Sequence, residues 1–231
     1  MEITWLGHGS FRYEVGDQVV LVDPWINGNP MLAENQVDAA LAGTTHILVT
    51  HGHFDHTTDI VEISQRTDAP VSGPYELAAW LHGKGAKEGH TYNRGGTIDI
   101  GGAKATLVPA SHSSSMEVDG RGAYMGQECG YILREDGGAT VYHSGDTDIM
   151  ADMDWIGDFY KPDVGVLSAG GYFTMDMAGA AYAAKRYFNF KTVVPCHYRT
   201  FPLLEQSAEV LAAGLPGVNV VEPQVMQAIT V

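Results

Sequence analysis

The sequence predicts a single α/β domain. Short apolar runs that are typical of strands alternate with helical patterns along the whole chain, and no Pro/Ser-rich linker or block of charge interrupts them. A chain of 231 residues, of which 45% are hydrophobic, can bury one sizeable core. We therefore expect one domain over residues 1–231, made of two similar halves of about 1–125 and 126–231.

The first half begins with short strands joined by tight turns. Phe11–Val15 alternates apolar and polar residues, and the continuously apolar Val19–Asp23 is typical of a fully buried strand. The predicted strands are Ile3–Leu6, Phe11–Val15, Val19–Asp23, His46–Thr50 and two within residues 96–109. Helices are predicted at Asp59–Arg66, after an N-cap at Thr57 or Thr58, and at Pro74–Leu81. The Ser- and Gly-rich Ser111–Gly126 is expected to be a loop.

The pattern of strands and helices restarts after this loop. Cys129–Arg134 and Thr140–His143 are predicted to pair across a turn at residues 135–138. Further strands are predicted at Asp163–Leu167, Thr192–Val194, Val218–Val221 and Val225–Val231, and helices at Asp148–Phe159, Asp176–Phe188 and Leu203–Ala213. Strands that alternate with helices in this way favour an α/β arrangement.

The charge balance excludes several classes of partner. With 13 Lys and Arg against 28 Asp and Glu, the net charge is −15, which disfavours nucleic acid and anionic membranes because both bind through basic residues. Two cysteines cannot form a disulfide framework, and no signal peptide or membrane span is evident, so we expect a cytoplasmic protein. Ten histidines are many for so acidic a chain, and histidine is the commonest metal ligand.

The run His51-Gly52-His53-Phe54-Asp55-His56 holds four potential metal ligands directly after a predicted buried strand. Alternate residues of an extended chain share a face, so His51 and His53 can point to one side. A turn into a helix can carry Asp55 and His56 to a neighbouring position, as a two-metal centre requires. A polar turn that is rich in histidine by chance is the alternative, but four such ligands at a strand end have little structural use.

Three isolated residues later in the chain are further candidate ligands, and each has an ordinary alternative. His112 follows a strand and could be a solvated loop residue. Asp146, in Gly145-Asp146-Thr147, could serve a turn or a helix cap. His197 lies between Cys196 and Tyr198 at a strand end and could be a hydrogen-bonded core histidine. Their joint occurrence with the His51–His56 run favours the ligand role for all three.

These motifs, in this order, resemble the metallo-β-lactamase-fold superfamily. The run matches its H-x-H-x-D-H signature, and it is preceded by a strand that ends in an acid at Asp23. Closer features resemble a small group of metal-dependent hydrolases related to the ascorbate 6-phosphate lactonase. They are the opening Trp5–Phe11, the serines Ser113–Ser115, and Phe173–Asp176 after a strand.

The resemblance implies a four-layer αββα sandwich with a dinuclear metal site at one edge. His51, His53 and His112 would hold one ion, Asp55, His56 and His197 the other, and Asp146 would bridge both. Catalysis would rest on Asp55, His56 and Asp146 and on a metal-bound hydroxide that attacks an ester, lactone or phosphodiester of a small molecule. Such ligands suit two Zn²⁺ ions and also Mn²⁺, Fe²⁺ or Ni²⁺.

Four residues are expected around the ligands. Asp23 would hydrogen-bond a ligand or its loop, or else serve a turn before Pro24. His8, between two glycines, would orient a ligand or touch substrate, or be a plain turn residue. His143 would be a donor to the site or a core histidine, and Arg199 would meet the substrate or lie on the surface.

Two other functions are kept as alternatives. One is a non-catalytic metal-binding or sensory module on the same fold, against which the complete ligand set argues. The other is an RNA-processing nuclease, against which the charge of −15 argues. We expect a small-molecule substrate and no nucleic-acid or membrane partner, and homo-oligomers are common in such folds.

Overall fold

The computed structural model describes all residues from Met1 to Val231. Its strands, in chain order, are β1 Glu2–Gly7, β2 Ser10–Val15, β3 Gln18–Val22, β4 His46–Leu48, β5 Val71–Pro74, β6 Glu88–Tyr92, β7 Thr97–Asp99, β8 Ala103–Pro109, β9 Ser115–Val118, β10 Arg121–Tyr124, β11 Cys129–Glu135, β12 Thr140–His143, β13 Val164–Ser168, β14 Thr192–Cys196, β15 Asn219–Val220 and β16 Ala228–Thr230. Its α-helices are α1 Val37–Leu41, α2 Phe54–Thr57, α3 Ile60–Thr67, α4 Tyr75–Gly83, α5 Met153–Tyr160, α6 Met177–Tyr187 and α7 Glu209–Gly214, and one 3-10 turn lies at Glu34–Gln36.

Two seven-stranded mixed sheets form the framework. The first has the order β16-β1-β2-β3-β4-β5-β6, and the second has the order β15-β14-β13-β12-β11-β8-β7. In each sheet the antiparallel strands lie on one side and the parallel strands on the other, with helices in the parallel connections. The chain changes sheets between Tyr92 and Thr97 and returns to the first sheet only with β16.

The two sheets face each other across the main core, and helices cover both outer faces. In β3, Val20 and Val22 belong to the core between the sheets, whereas Leu21 between them packs under the outer helices. Ile63 of α3 and Leu77 of α4 cover the first sheet, and α5, α6 and α7 cover the second. Successive side chains of a strand point to opposite faces of the sheet, and here both faces are buried. This arrangement confirms the predicted αββα layers.

The predicted elements agree with the structure apart from the following differences. Ser111–Gly126 was expected to be a loop but contains the hairpin β9–β10, whose Met116 and Val118 alternate with polar residues and pack on the helix-covered core. The short α1 and α2 and the strands β5 and β6 were not predicted; β6, Glu88–Tyr92, is polar and lacks a strand-like apolar pattern. The helices predicted at Asp148–Phe159 and Leu203–Ala213 begin later, at Met153 and Glu209. The predicted meeting point of two halves near residue 125 lies between β10 and β11.

Candidate metal centre

Strand ends from both sheets bring the polar residues together at one edge of the sandwich. From the first sheet, His8 follows β1, Asp23 follows β3, and the segment from His51 to His56 follows β4. From the second sheet, His112 follows β8, Asp146 follows β12 and His197 follows β14. Three of these residues, namely His8, Asp23 and His197, have positive φ angles of 53°, 46° and 57°. Such backbone is rare for residues other than glycine and points to a site that constrains it.

The first group of converging ligand atoms consists of His51, His53 and His112. Nε2 of His51 lies 3.0 Å from Nδ1 of His53, which in turn lies 3.2 Å from Nε2 of His112. Three imidazole nitrogens that point at one another can share only one or two protons, so at least one lone pair has no donor. A cation at their meeting point would satisfy all three, which is why this arrangement can hold a metal ion.

The second group consists of Asp55 and His56, which both lie in α2, together with His197 and His8. Oδ2 of Asp55 lies 3.5 Å from Nε2 of His197 and 3.9 Å from Nε2 of His56. Nε2 of His56 is buried and has no hydrogen-bond partner, although such an atom is almost always paired in a folded protein. A ligand at this point would supply the missing partner, and the donor set of imidazole and carboxylate suits a divalent transition metal.

One carboxylate oxygen connects the two groups. Oδ2 of Asp146 lies 2.9 Å from Nε2 of His197 and 3.5 Å from Nε2 of His56. The same oxygen lies 3.7 Å from Nε2 of His112 and 4.0 Å from Nε2 of His51. Asp146 is therefore the residue that can contact ions held by either group.

The buried Asp23 sets the orientation of two of these histidines from behind. Its Oδ2 accepts from Nδ1 of His56 at 2.8 Å and from the hydroxyl of Thr50 at 2.5 Å, and its Oδ1 accepts from the Thr50 amide. Because the Thr50 hydroxyl donates to Asp23, its oxygen accepts from Nδ1 of His51 at 2.9 Å. In their neutral forms both imidazoles thus carry their proton on Nδ1 and would present a bare Nε2 to a bound ion, as metal-binding histidines must.

The two groups differ in their affinity for protons. Burial lowers the pKa of His51, His53 and His112, and neighbouring histidine rings of the cluster lower it further, so these imidazoles are neutral at pH 7. Burial also opposes the charged forms of His56 and His197, but nearby carboxylates, chiefly Asp146, outweigh it. They raise the pKa of His56 well above its usual range and that of His197 to about 9.

His8 lies against the second group. Burial lowers its pKa to about 4, so the ring is neutral at pH 7. With its proton on Nε2 it donates to Oδ2 of Asp55 at 2.7 Å, and its Nδ1 accepts from the Thr200 hydroxyl at 2.8 Å. Its backbone carbonyl accepts from the indole of Trp5 and from the amide of His197. His8 therefore orients a carboxylate of the cluster and also anchors the turn that carries His197.

The other two expected neighbours lie farther out. His143 is buried behind the cluster, where Tyr13 contacts its Nδ1 at 2.8 Å and burial lowers its pKa to about 4. Arg199 follows His197 by two residues, but its guanidinium lies 5.8 Å from the centre of the Tyr198 ring and it does not line the cleft above the cluster. His143 thus supports the site from the core, and Arg199 has no contact with it.

Known proteins that resemble this chain are metal-dependent hydrolases. A family model described as a beta-lactamase superfamily domain matches residues 18–230. A UPF0173 metal-dependent hydrolase of Ruegeria pomeroyi is 59% identical over 231 residues, which is 100% of both chains. A UPF0173 metal-dependent hydrolase of Roseobacter denitrificans is 60% identical over 226 residues, or 98% of each chain. The chain belongs to this family of metal-dependent hydrolases.

The fold of this UPF0173 family member is also that of solved structures. One is Igni18, described as a novel metallo hydrolase from Ignicoccus hospitalis, which is 35% identical in sequence to this chain. The superposition covers 100% of this chain and 98% of the Igni18 chain, with a TM-score of 0.83. The resemblance to metallo-β-lactamase-fold hydrolases is therefore confirmed, and the protein is a metal-dependent hydrolase with a buried His/Asp cluster that can bind metal. No helix in this structure has the length and apolar character required to cross a bilayer.

A cleft of about 500 Å³ opens over the cluster in this family member. Its base is formed by His53, Asp55, His112, Asp146 and His197, and its walls by Phe54, Ser113, Phe173, Phe201 and Leu203. The apolar walls were not predicted from the sequence, although Phe54 lies inside the His51–His56 run and Phe173 belongs to the Phe173–Asp176 motif. Ser113 belongs to the serines Ser113–Ser115 that carry the resemblance, and its hydroxyl lies 3.1 Å from Nε2 of His53.

Gly9 allows His56 to reach its position, and replacing it tests the geometry of the second group. A Cβ at residue 9 would lie 2.7 Å from Cε1 of His56, closer than side chains tolerate. We expect Gly9→Ala to displace His56, to lower the free energy of unfolding by about 1–3 kcal/mol and to reduce metal content. Thermal unfolding and metal analysis would check this. Gly122→Ala, where a Cβ meets no atom within 4 Å, is the matched control. Full metal content in Gly9→Ala would contradict the assignment.

Proposed function

We propose that this protein is a dinuclear metal-dependent hydrolase that cleaves an ester, lactone or phosphodiester bond of a small molecule. The observation that carries the proposal is the pair of ligand groups that share Oδ2 of Asp146. One ion would be held by His51, His53 and His112, the other by Asp55, His56 and His197, and Asp146 would bridge them. The donor set of five imidazoles and two carboxylates suits Zn²⁺ best, with Mn²⁺, Fe²⁺ or Ni²⁺ as alternatives.

Residues of this chain prepare the site in three ways. Bound divalent ions would lower the pKa of a water molecule and draw electron density from the bond under attack. Asp146 places negative charge between the two positions, which offsets repulsion between cations. Asp23 holds the protons of His51 and His56 away from the cluster, through Thr50 and directly. His8 fixes the carboxylate of Asp55, and burial of all these groups excludes bulk water and strengthens their electrostatic interactions.

The direct test is turnover by metal-loaded protein on panels of esters, lactones and small phosphodiesters. We expect hydrolysis of at least one class, and we expect His53→Ala to lower kcat/KM by about 10³-fold or more because it removes a ligand at the reacting centre. His90→Ala, at an exposed histidine on β6 outside the cluster, is the control. Stoichiometric metal without turnover on any panel would favour a non-catalytic binding module, and RNA cleavage with steep salt dependence would favour a nuclease.

The proton affinities predict how metal binding depends on pH. His56 and His197, with raised pKa values, are protonated in the metal-free protein at neutral pH and must lose protons to bind an ion, whereas the first group is already neutral. The zinc affinity of the second group should therefore rise with pH up to about 9, by about tenfold per pH unit for each displaced proton. The zinc affinity of the first group should change little over the same range. Chelator competition at several pH values would measure both. Two affinities with the same pH dependence would contradict the assignment.

We propose a reducing, cytoplasmic location for this activity. Cys129 and Cys196 are both free thiols, and both are buried in the core. Cys129 contacts the carbonyl of Thr50 with its Sγ, so it serves packing next to the site and is not placed for a disulfide.

A further inference from the structure

The cleft over the cluster has an apolar mouth. Three of its large side chains are strongly exposed, with Phe54 64%, Leu203 53% and Phe173 51% accessible. They surround one opening and come from three separate segments, namely the start of α2 and the loops after β13 and β14. Exposed apolar side chains gathered around one concave site favour a site for an apolar ligand.

The aromatic walls are held in place from behind. Trp25 packs edge-on against Phe54 with ring centres 5.9 Å apart, and it also contacts Phe201 at 6.3 Å. On the opposite side, Phe173 packs edge-on against Tyr172 at 4.8 Å and faces the ring of His197 at 6.4 Å. The cleft is thus a slot between two aromatic surfaces with the ligand cluster at its base.

No lysine or arginine side chain lines this slot. Two of the arginines near the site are already engaged. Arg94 donates to the carbonyls of Ala110 and Glu128, and Arg199 lies over the ring of Tyr198. Beyond the cluster, the only polar wall residue is Ser113. A phosphate or carboxylate on the part of the substrate that lies between the aromatic walls, away from the ion positions, would be desolvated without a cationic partner, which is costly.

We infer that the substrate is an uncharged ester or lactone whose apolar substituent packs between Phe54 and Phe201 on one side and Phe173 and Leu203 on the other. This inference rests on the proposed function and narrows it, because it specifies an apolar, uncharged substituent for the part of the substrate that lies away from the ion positions. A volume of about 500 Å³ fits a small molecule with an aromatic ring or a medium-length alkyl chain. Water attacks the acyl carbon, the bond to the leaving oxygen breaks, and the products are a carboxylic acid and an alcohol, joined as one hydroxy acid when the substrate is a lactone.

The experiment compares two matched substrate series on the zinc-loaded wild-type protein. In γ-lactones with alkyl chains of increasing length, kcat/KM should rise about threefold per methylene until the slot is filled. Between 4-nitrophenyl butyrate and 4-nitrophenyl hemisuccinate, which differ chiefly by one carboxylate, the charged ester should react about tenfold more slowly or worse.

Variants connect these preferences to the slot. Phe173→Ala and Leu203→Ala should flatten the dependence on chain length, and Leu203→Arg should reduce the discrimination against the hemisuccinate. These positions are exposed, so the variants should fold. Phe159→Ala, at an exposed phenylalanine of α5 outside the cleft, should leave both series unchanged. Calorimetry with 5-alkyl-2-pyrrolidinones, the lactam analogues, measures the same chain-length dependence as binding without turnover.

The outcomes separate this inference from the proposed function. No hydrolysis of any ester, lactone or phosphodiester by zinc-loaded protein would overturn the proposed function. Hydrolysis with no dependence on chain length, or with a preference for the anionic substrates, would overturn the inference alone. A change of oligomeric state in Phe173→Ala without any change in the lactone series would also overturn it, because the mouth would then be a contact between copies of the chain.

Discussion

Asp146→Asn is expected to abolish most of the activity of this hydrolase and to weaken metal binding at both ligand groups. Oδ2 of Asp146 is the atom nearest to nitrogens of both groups, at 2.9 Å from His197 and 3.7 Å from His112. An amide of the same shape removes the negative charge that would lie between two cations. The loss of several kcal/mol of metal-derived stabilisation corresponds to a fall in kcat/KM of about 10³-fold or more.

The accompanying measurements separate chemistry from folding. Bound zinc per chain should fall from two in the wild-type protein to one or none in Asp146→Asn, while the far-ultraviolet circular dichroism remains that of the wild type. Asp158→Asn, at an exposed aspartate of α5, is the matched control and should keep full activity and metal content. Two tightly bound ions in Asp146→Asn would exclude the bridging role.

Asp23→Asn is expected to cost both stability and metal affinity. The carboxylate is fully buried and accepts from the Thr50 amide, the Thr50 hydroxyl and Nδ1 of His56. An amide nitrogen at one of these positions cannot accept, so a buried donor loses its partner at a cost of about 1–3 kcal/mol. The proton of His56 would no longer be held on Nδ1, and metal affinity should fall by about 10–100-fold.

Thermal unfolding and zinc titration together test this role. For a chain of this size, the lost stability corresponds to a fall in Tm of about 2–12 °C. Asp17→Asn, at an exposed turn between β2 and β3, should leave Tm and zinc affinity unchanged. If Asp23→Asn lowered Tm but bound zinc as tightly as the wild type, the residue would support the fold without orienting the ligands.

The residues that form the cluster could be predicted because local pattern reveals them. Four lie in one run of six residues, and the structure brings this run together with His112, Asp146 and His197. The contact of His8 with Asp55 could not be predicted, since it joins residues 47 positions apart through a turn at the end of β1. The position of Asp23 near the site could be predicted from the sequence. The link through the Thr50 hydroxyl, which donates to Asp23 and accepts from His51, could not.

The parts of the fold that escaped prediction have weak local patterns. The hairpin β9–β10 lies in a Ser- and Gly-rich stretch, and its packing depends on contact with the core under α4 and on the close approach of Met125 to Gly52. The slot walls escaped for a related reason. Phe173, Phe201 and Leu203 lie on loops that only the tertiary structure brings around Phe54, and loop side chains carry no periodic signal.

The position of the cluster between strand ends of both sheets has a consequence for the whole molecule. His51, His53, Asp55 and His56 belong to the first sheet, and His112, Asp146 and His197 follow strands of the second. Ions bound here would cross-link the two sheets and close chain segments that span most of the sequence, much as a disulfide restricts an unfolded chain. Binding that is specific to the folded state also contributes its own free energy to folding. The metal content of a preparation therefore determines how well the sandwich resists opening, in addition to how fast it turns over substrate.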